Sequence, residues 1–224
     1  MLALPNFSFI IDISFPLSSE NRKIVSSCAS PLIQRNCPVP TMPVYCGHMR
    51  EIILKRVADH HLPLIETWLQ AAHVRPWFSD PEAWLAELAQ RGDVFDFITH
   101  FVAYHHYVPF GFCQYYPIER TDEAVFIHCP REGSYSIDYL IGESAYLSRG
   151  FGSAMLSRLV DHVFAHREAE RIVVSVDDGN GASQRLLIRT GFMFHEAWGV
   201  FALTREAVSE SRARCSTTAP RCGR

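Results

Sequence analysis

The sequence predicts an α/β domain in which helices flank a central mixed sheet. Short apolar runs typical of strands alternate along the chain with segments whose apolar residues recur at helical spacing. The two patterns interleave rather than occupying separate halves, as they do in mixed α/β sheets. A length of 224 residues fits one such domain with terminal extensions.

Capping residues and apolar spacing predict the individual elements. The first helix is expected to begin at Asp59, and the second after Ser79 or Asp80 with Pro81 in its first turn. We predict further helices at 150–166 and 182–190, and strands at 50–57, 97–105, 109–116, 135–141, 171–176 and 192–203.

The two ends of the chain differ from the periodic body. Residues 1–48 contain six prolines and many serines without a sustained period, which is typical of a poorly ordered leader. One hypothesis is that Met49 is the true initiator. We expect a folded domain at 49–206 and a flexible tail at 207–224.

The body is acidic, with 21 Asp and Glu against 14 Lys and Arg between residues 49 and 206. This balance disfavours nucleic acid, whose binding depends on neutralising phosphates. It suits a cationic small molecule, although general solubility explains the same charge. No apolar stretch approaches the ~20 residues that span a bilayer, and no secretion signal is evident, so we expect a cytoplasmic protein.

The seven cysteines and the histidines do not predict a metal site. No two cysteines have the C-x-x-C spacing of a zinc or redox site. The pairs His60–His61 and His105–His106 are sequence neighbours, whose side chains diverge in both strands and helices.

A glycine turn is the most informative segment. A predicted strand ends near Gly142, and Arg149, Gly150, Phe151 and Gly152 then lead into a helix. Glycines two apart permit a tight turn, and the first amides of the helix point at one spot with the positive end of the helix dipole behind them. This pattern favours a pyrophosphate cradle to which Arg149 adds charge. A helix that begins with glycines needed only for packing would have the same sequence pattern.

The turn lacks the signatures of two common nucleotide sites. A P-loop needs G-K-[ST], which is missing, and a dinucleotide fingerprint needs a third glycine where Met155 stands.

Three strings between residues 135 and 192 resemble the GCN5-related N-acetyltransferase superfamily. They are LSRGFG at 147–152, RIVVSV at 171–176 and NGASQRLLIRTGF at 180–192. Leu147 stands where the superfamily usually has Gln or Arg. That leucine, and IDYLIG at 137–142, are similar to the aminoglycoside 6'-N-acetyltransferases. The resemblance extends over about 51–205.

The resemblance implies an acetyltransferase fold with a mostly antiparallel sheet and acetyl-CoA as co-substrate. Residues 147–154 would hold the pyrophosphate. The strand around 138–141 would splay from the strand at 173–176 to admit the pantetheine arm, and a backbone N–H there would bind the thioester oxygen. The implied cofactor-binding residues are Tyr139, Leu140, Ile141, Leu147, Ser148, Arg149, Gly150, Phe151, Gly152, Ser153 and Asn180, the last of which is equally suited to capping its helix.

Asp138 is the candidate catalytic base. An ammonium must lose a proton before it attacks a thioester, and Asp138 lies inside a predicted strand, on the face it shares with Leu140, where a solvated carboxylate is unusual. In the related enzymes the matching Asp binds the acceptor amine. The alternative is a structural ion pair.

Further acceptor contacts are implied at Trp77, Phe78 and Asp177. The aromatic pair would line the pocket, and Asp177 matches loosely an acidic turn of the related enzymes. Core packing and a plain turn explain these residues equally well. An acidic loop with Glu119, Asp122 and Glu123 is expected to be merely solvated.

One departure concerns the general acid, because Leu187 stands where many superfamily members have a Tyr. A thiol of pKa ~8.5 leaves acceptably as the thiolate, so Tyr139, a water or no acid at all remain open. The first choice of function is therefore acetylation of an aminoglycoside 6'-amine by a monomer or homodimer. The alternatives are acylation of another amine or hydroxylamine, such as a polyamine or siderophore precursor, and a non-catalytic acyl-CoA-binding module.

Overall fold

The computed structural model describes residues 51–218, with side chains described as far as residue 214. The expected leader at 1–48 and the possible start at Met49 lie outside this range. In chain order, the elements are β1 Ile52–Arg56, α1 Leu62–Leu69, α2 Pro81–Ala89, β2 Thr99–His105, β3 Val108–Pro117, β4 Ser134–Ile141, α3 Phe151–Phe164, β5 Arg171–Val174, α4 Gly181–Arg189, β6 Met193–His195, β7 Val200–Thr204 and α5 Arg205–Thr218. Among the described residues 51–218, no helix combines the length and apolar character needed to cross a membrane.

The strands form one seven-stranded sheet in the order β1-β2-β3-β4-β5-β7-β6. All neighbouring pairs are antiparallel except β4 and β5, which are parallel. The predicted mixed, mostly antiparallel sheet is therefore confirmed.

The parallel pair separates part-way along β4. Residues Ser134–Ser136 pair with Arg171–Val173, and the pairing stops there. β4 continues for five residues to Ile141, still paired with β3 on its other side. Since β5 ends at Val174, a split opens between the two strands towards their carboxyl ends.

Helices cover both faces of the sheet, so its central strands face two apolar cores. α3 and α4 pack on one face through residues such as Leu156 and Leu187. α1 and α2 pack on the other face through Trp68 and Leu88. Along β4 the pleat sends Ile137 and Tyr139 to the α3/α4 face and Leu140 to the α1/α2 face, as predicted.

Local chemistry sets the boundaries of the first two helices. Asp80 caps α2, since its Oδ1 accepts a hydrogen bond from the Ala83 amide at 3.0 Å, as predicted. The predicted first helix at 59–72 is shorter in the structure. A 3₁₀ turn at Asp59–His61 precedes α1, which carries Pro63 in its first turn, where a missing N–H is tolerated.

The carboxyl end contradicts the expected tail at 207–224, because α5 extends to Thr218. Thr204 Oγ1 accepts a hydrogen bond from the Ala207 amide at 3.2 Å, and Val208 is buried in the α3/α4 core. The helix is polar around most of its circumference, so a single apolar anchor gave no period to detect. Residues 219–224 are outside the described range.

Candidate active site

The turn between β4 and α3 has the backbone geometry expected of an anion cradle. Gly150 occupies the cap position with φ +82°, and Ser148 has φ +55°. Positive φ suits glycine, which has no Cβ. No side chain at the cap position accepts from the first amides of α3, and a helix N-terminus attracts negative charge.

Gly152 has a packing role beside its predicted cofactor role. A Cβ placed on it would lie 3.2 Å from Leu186 Cδ2 on α4. The glycine therefore allows α3 and α4 to approach closely at the mouth of the split. Both roles require a small residue at this position.

The other predicted cradle residues differ in what they can offer a ligand. Arg149 is exposed, donates to the Ala145 carbonyl at 2.9 Å, and lies 5.8 Å from the Phe151 ring centroid. The side chains of Phe151 and Ser153 are buried, so contacts with a ligand there would come from backbone amides. Leu147 is exposed on the outer side of the turn.

The split is lined by the last part of β4 and the first turn of α4. Tyr139 reaches α4, where its hydroxyl lies 2.6 Å from Ser183 Oγ. Leu140 is buried in the opposite core, and the Ile141 carbonyl lies 2.9 Å from His73 Nε2. Asn180 caps α4, because its Oδ1 accepts from the Ser183 amide at 3.1 Å.

Asp138 is half-buried on the α1/α2 side of β4, beside the split. Gln114, its register partner on β3, donates Nε2–H to Asp138 Oδ2 at 3.1 Å. Burial raises the pKa of Asp138 to about 8, and the negative charges of Glu123 and Glu87 raise it as well, against the hydrogen bond from Gln114. Among residues 51–214, no Lys or Arg forms an ion pair with Asp138, which argues against the alternative of a structural ion pair.

Two further carboxylates surround Asp138, and the sequence did not predict either of them. Glu123 is half-buried rather than merely solvated, and it hydrogen-bonds to the Tyr116 hydroxyl. Burial, more than any charge, raises the pKa of Glu123. Glu87 on α2 is 4% exposed and contacts His100. We call Asp138, Glu123 and Glu87 the acidic cluster.

Two of the predicted acceptor residues, Trp77 and Asp177, lie near each other beside the turn that follows β5. Trp77 is 42% exposed, and a Cβ at Gly179 would lie 3.8 Å from its ring. Asp177 Oδ1 accepts from the Gly179 amide at 2.7 Å, so it also shapes the turn. Phe78 is different, since it packs against Trp84 in the α1/α2 core with ring centroids 5.0 Å apart.

Comparison with known proteins agrees with this geometry. The profile of the family described as "Acetyltransferase (GNAT) domain" matches residues 57–200, more than half of the chain. The chain belongs to the GNAT acetyltransferase family. This acetyltransferase uses acetyl-CoA as its co-substrate, and the predicted enzyme class is confirmed.

Its relatives include two curated proteins named aminoglycoside N(6')-acetyltransferase type 1. One, from Serratia marcescens, is 22% identical over 170 residues, which are 71% of this chain and 82% of the relative. The other, from Klebsiella pneumoniae, is 24% identical over 152 residues, or 63% and 73%. A similar solved structure is that of aminoglycoside acetyltransferase AAC(6')-Ib in complex with coenzyme A and kanamycin, with TM-score 0.62, 21% identity, and coverage of 72% of this chain and 99% of that chain.

The residues of this acetyltransferase fit its co-substrate in two independent ways. Gly150 at the cap position has no side chain to occupy the N-terminus of α3, which suits a pyrophosphate. The split beyond Ser136 provides a strand edge of β4 that β5 does not cover. An extended arm with amide groups matches such an edge.

The sequence analysis of this acetyltransferase did not identify Glu87, His100 or the burial of Glu123, and only the first two had a detectable pattern. Glu87 falls three residues after Trp84 and one before Leu88, on the apolar stripe of α2, so helical spacing offered a signal. His100 shares a strand face with buried Val102, which is a similar signal. Glu123 lies in a loop, where no period exists to indicate its burial.

Proposed function

We propose that this acetyltransferase moves acetyl to a primary amine of a polycationic small molecule, and that the acceptor is the 6'-amine of an aminoglycoside. The observation that carries the proposal is the acidic cluster beside the split. Asp138 lies beside the split, Glu123 and Glu87 both act on it electrostatically, and no ion pair to Lys or Arg is found for any of the three within residues 51–214.

An amine acceptor would relieve the electrostatic cost of this cluster. Burial is the main reason that the pKa values of Asp138 and Glu123 are raised, and repulsion from neighbouring carboxylates raises them further. A bound ammonium favours the charged form of each carboxylate. A molecule with several amines could contact more than one of them, which favours a polycation over a monoamine.

Gln114 supports the same ligand chemistry. Its Nε2 is engaged with Asp138, while its Oε1 is buried and has no hydrogen-bond partner within residues 51–214. A buried acceptor without a donor is destabilising. An N–H group of an acceptor bound against Asp138 would satisfy it.

Trp77 suits a sugar ring. It exposes 42% of its surface next to the turn that contains Asp177. Aromatic faces bind both sugar rings and cations, and the exposed Asp177 would add a carboxylate nearby.

In the reaction, Asp138 would accept the proton that the ammonium must lose. A pKa of about 8 makes the carboxylate a stronger base than an ordinary Asp and lies close to the operating pH. The cradle at 149–153 would bind the pyrophosphate of acetyl-CoA, which supplies the electrophilic thioester. The uncovered edge of β4 would offer a backbone N–H to the thioester oxygen.

A thiol-release assay with acetyl-CoA tests the proposal across aminoglycosides, polyamines and peptides. We expect turnover with kanamycin, which has a 6'-amine, and none at that position with a matched aminoglycoside carrying a 6'-hydroxyl. Product mass and the acetylated position should be determined for each pair. Equal turnover of both compounds, or turnover of polyamines alone, would contradict the aminoglycoside assignment.

A further inference from the structure

Tyr139 joins β4 to α4 beside the split between β4 and β5. It belongs to the part of β4 that β5 does not pair with, and its hydroxyl lies 2.6 Å from Ser183 Oγ on the first turn of α4. Ser183 is itself fixed, because Asn180 accepts from its amide at 3.1 Å. The phenol oxygen is therefore held at a defined position against the first turn of α4.

The α4 position one turn beyond Ser183 provides no proton donor. Leu187 lies one turn after Ser183 on the same face of α4 and is fully buried in the apolar core. Burial, the largest cause, raises the pKa of Tyr139 to about 12, so the phenol keeps its proton at neutral pH. A protonated phenol can donate a hydrogen bond to a developing anion.

Tyr139 and Asp138 are consecutive residues on opposite faces of one strand. Asp138 lies on the α1/α2 side, as does Glu87 of the acidic cluster. Tyr139 points to the α3/α4 side. A thioester lying in the split between them would have a base on its acceptor side and a proton donor on its other side. This division suits acyl transfer, which takes a proton from nitrogen and delivers one to sulfur.

We propose that Tyr139 is a catalytic residue that donates its phenolic proton to the sulfur of coenzyme A as acetyl leaves. The inference rests on the proposed reaction for its proton balance, but not on which amine is acetylated.

The step balances without another reactant. The amine nitrogen forms a bond to the acetyl carbon, and the carbon–sulfur bond breaks with its electron pair on sulfur. The ammonium nitrogen loses two protons in all. Asp138 takes the first before attack and passes it to solvent, and it takes the second as the amide forms, while the Tyr139 hydroxyl gives its proton to sulfur. Solvent then returns a proton to the phenolate as Asp138 loses one, so coenzyme A leaves as the free thiol.

The first test is a binding measurement that needs no acceptor. Calorimetry should compare coenzyme A with desulfo-coenzyme A, which lacks the thiol, in the wild type and in Tyr139→Phe. We expect Tyr139→Phe to lose affinity for coenzyme A by about 2- to 10-fold, as for one hydrogen bond. Its affinity for desulfo-coenzyme A should remain unchanged. Equal losses for both ligands, or no loss for either, would overturn the proposal.

The second test uses the leaving group. With acetyl-CoA, Tyr139→Phe should lower kcat by about 10²-fold, the low end of the range for a positioned acid. With the selenium analogue of acetyl-CoA, whose leaving group is much more acidic and needs no proton, the loss should largely disappear. A loss of the same size with both donors would mean that Tyr139 only supports the structure.

Ser183→Ala is the matched control. It removes the partner of the phenol but keeps the hydroxyl itself, so the loss of kcat should be smaller than in Tyr139→Phe. Equal losses in the two variants would indicate a structural bridge and contradict the proposal. If kanamycin is not acetylated but the thiol-dependent binding difference is present, the acceptor assignment fails and the role of Tyr139 stands.

Discussion

Glu87 on α2 and His100 on β2 form a buried pair in which Glu87 Oε1 lies 3.1 Å from His100 Nε2. Their side chains are 5% and 2% exposed. His100 also stacks on Phe112 of β3, with ring centroids 6.3 Å apart. An otherwise apolar core thus contains a carboxylate, and its charge helps to raise the pKa of Asp138.

Replacing Glu87 by Gln should shift the pH dependence of activity. The change removes one of the negative charges that raise the pKa of Asp138, while an amide can still hydrogen-bond to His100. The acidic limb of the kcat/KM profile should therefore move to lower pH. Glu82→Gln is the matched control, since Glu82 is exposed on the same helix. An equal shift in both variants, or none in Glu87→Gln, would contradict the expectation.

Asp138→Asn should lower activity and raise stability at the same time. Turnover should fall by ~10²–10⁴, the usual contribution of a positioned general base. The pKa of Asp138 is raised from 3.8 to about 8 in the folded state, so the folded protein binds the proton more tightly than the unfolded chain. Stability from this group is present below pH 3.8 and is lost as pH rises to about 8.

Thermal unfolding of both proteins between pH 4 and pH 9 checks this expectation, because the amide cannot ionise. The advantage of Asp138→Asn in Tm should grow with pH and level off above about 8. An advantage that shrinks with rising pH, or full activity in the variant, would exclude Asp138 as the base.

The sequence predicted the parts of the fold that depend on periodic burial. The alternation along β4 correctly assigned Ile137 and Tyr139 to one face and Leu140 to the other. A cap at Ser79 or Asp80 was predicted because capping chemistry is local, and the structure shows that Asp80 is the cap. α5 was missed, since Val208 is its one buried residue within 205–214 and one buried residue makes no period.

The candidate site could be predicted only where a residue broke a local pattern. Asp138 was identifiable because a carboxylate inside an apolar strand is unusual. Glu123 was not identifiable, because it lies in a loop. Its hydrogen bond with Tyr116 follows from the fold and from no periodic spacing in the sequence. The contact between Tyr139 and Ser183 joins residues 44 positions apart, which a single sequence does not relate.

Substitution at Gly152 can separate its two roles. Gly152→Val should weaken coenzyme A binding, because a side chain would obstruct the cradle and would also meet Leu186 at 3.2 Å from its first carbon. The double variant Gly152→Val with Leu186→Ala relieves only the second contact. We expect calorimetry to show no recovery of affinity in the double variant. Full recovery would mean that helix packing is the only role of this glycine.

The last prediction concerns the charge of the acidic cluster. Glu123→Gln should weaken kanamycin binding by about tenfold or more, as for loss of a hydrogen bond to a charged group. It should also reduce the decline of affinity with salt, because attraction between an acidic site and a polycation is screened over ~10 Å at 0.1 M. Glu119→Gln is the matched control, since Glu119 lies in the same connection but is exposed. Calorimetric titrations at two salt concentrations measure both effects. If Glu119→Gln weakens binding as much as Glu123→Gln, the attraction comes from the acidic surface in general, and the acidic cluster does not bind the acceptor.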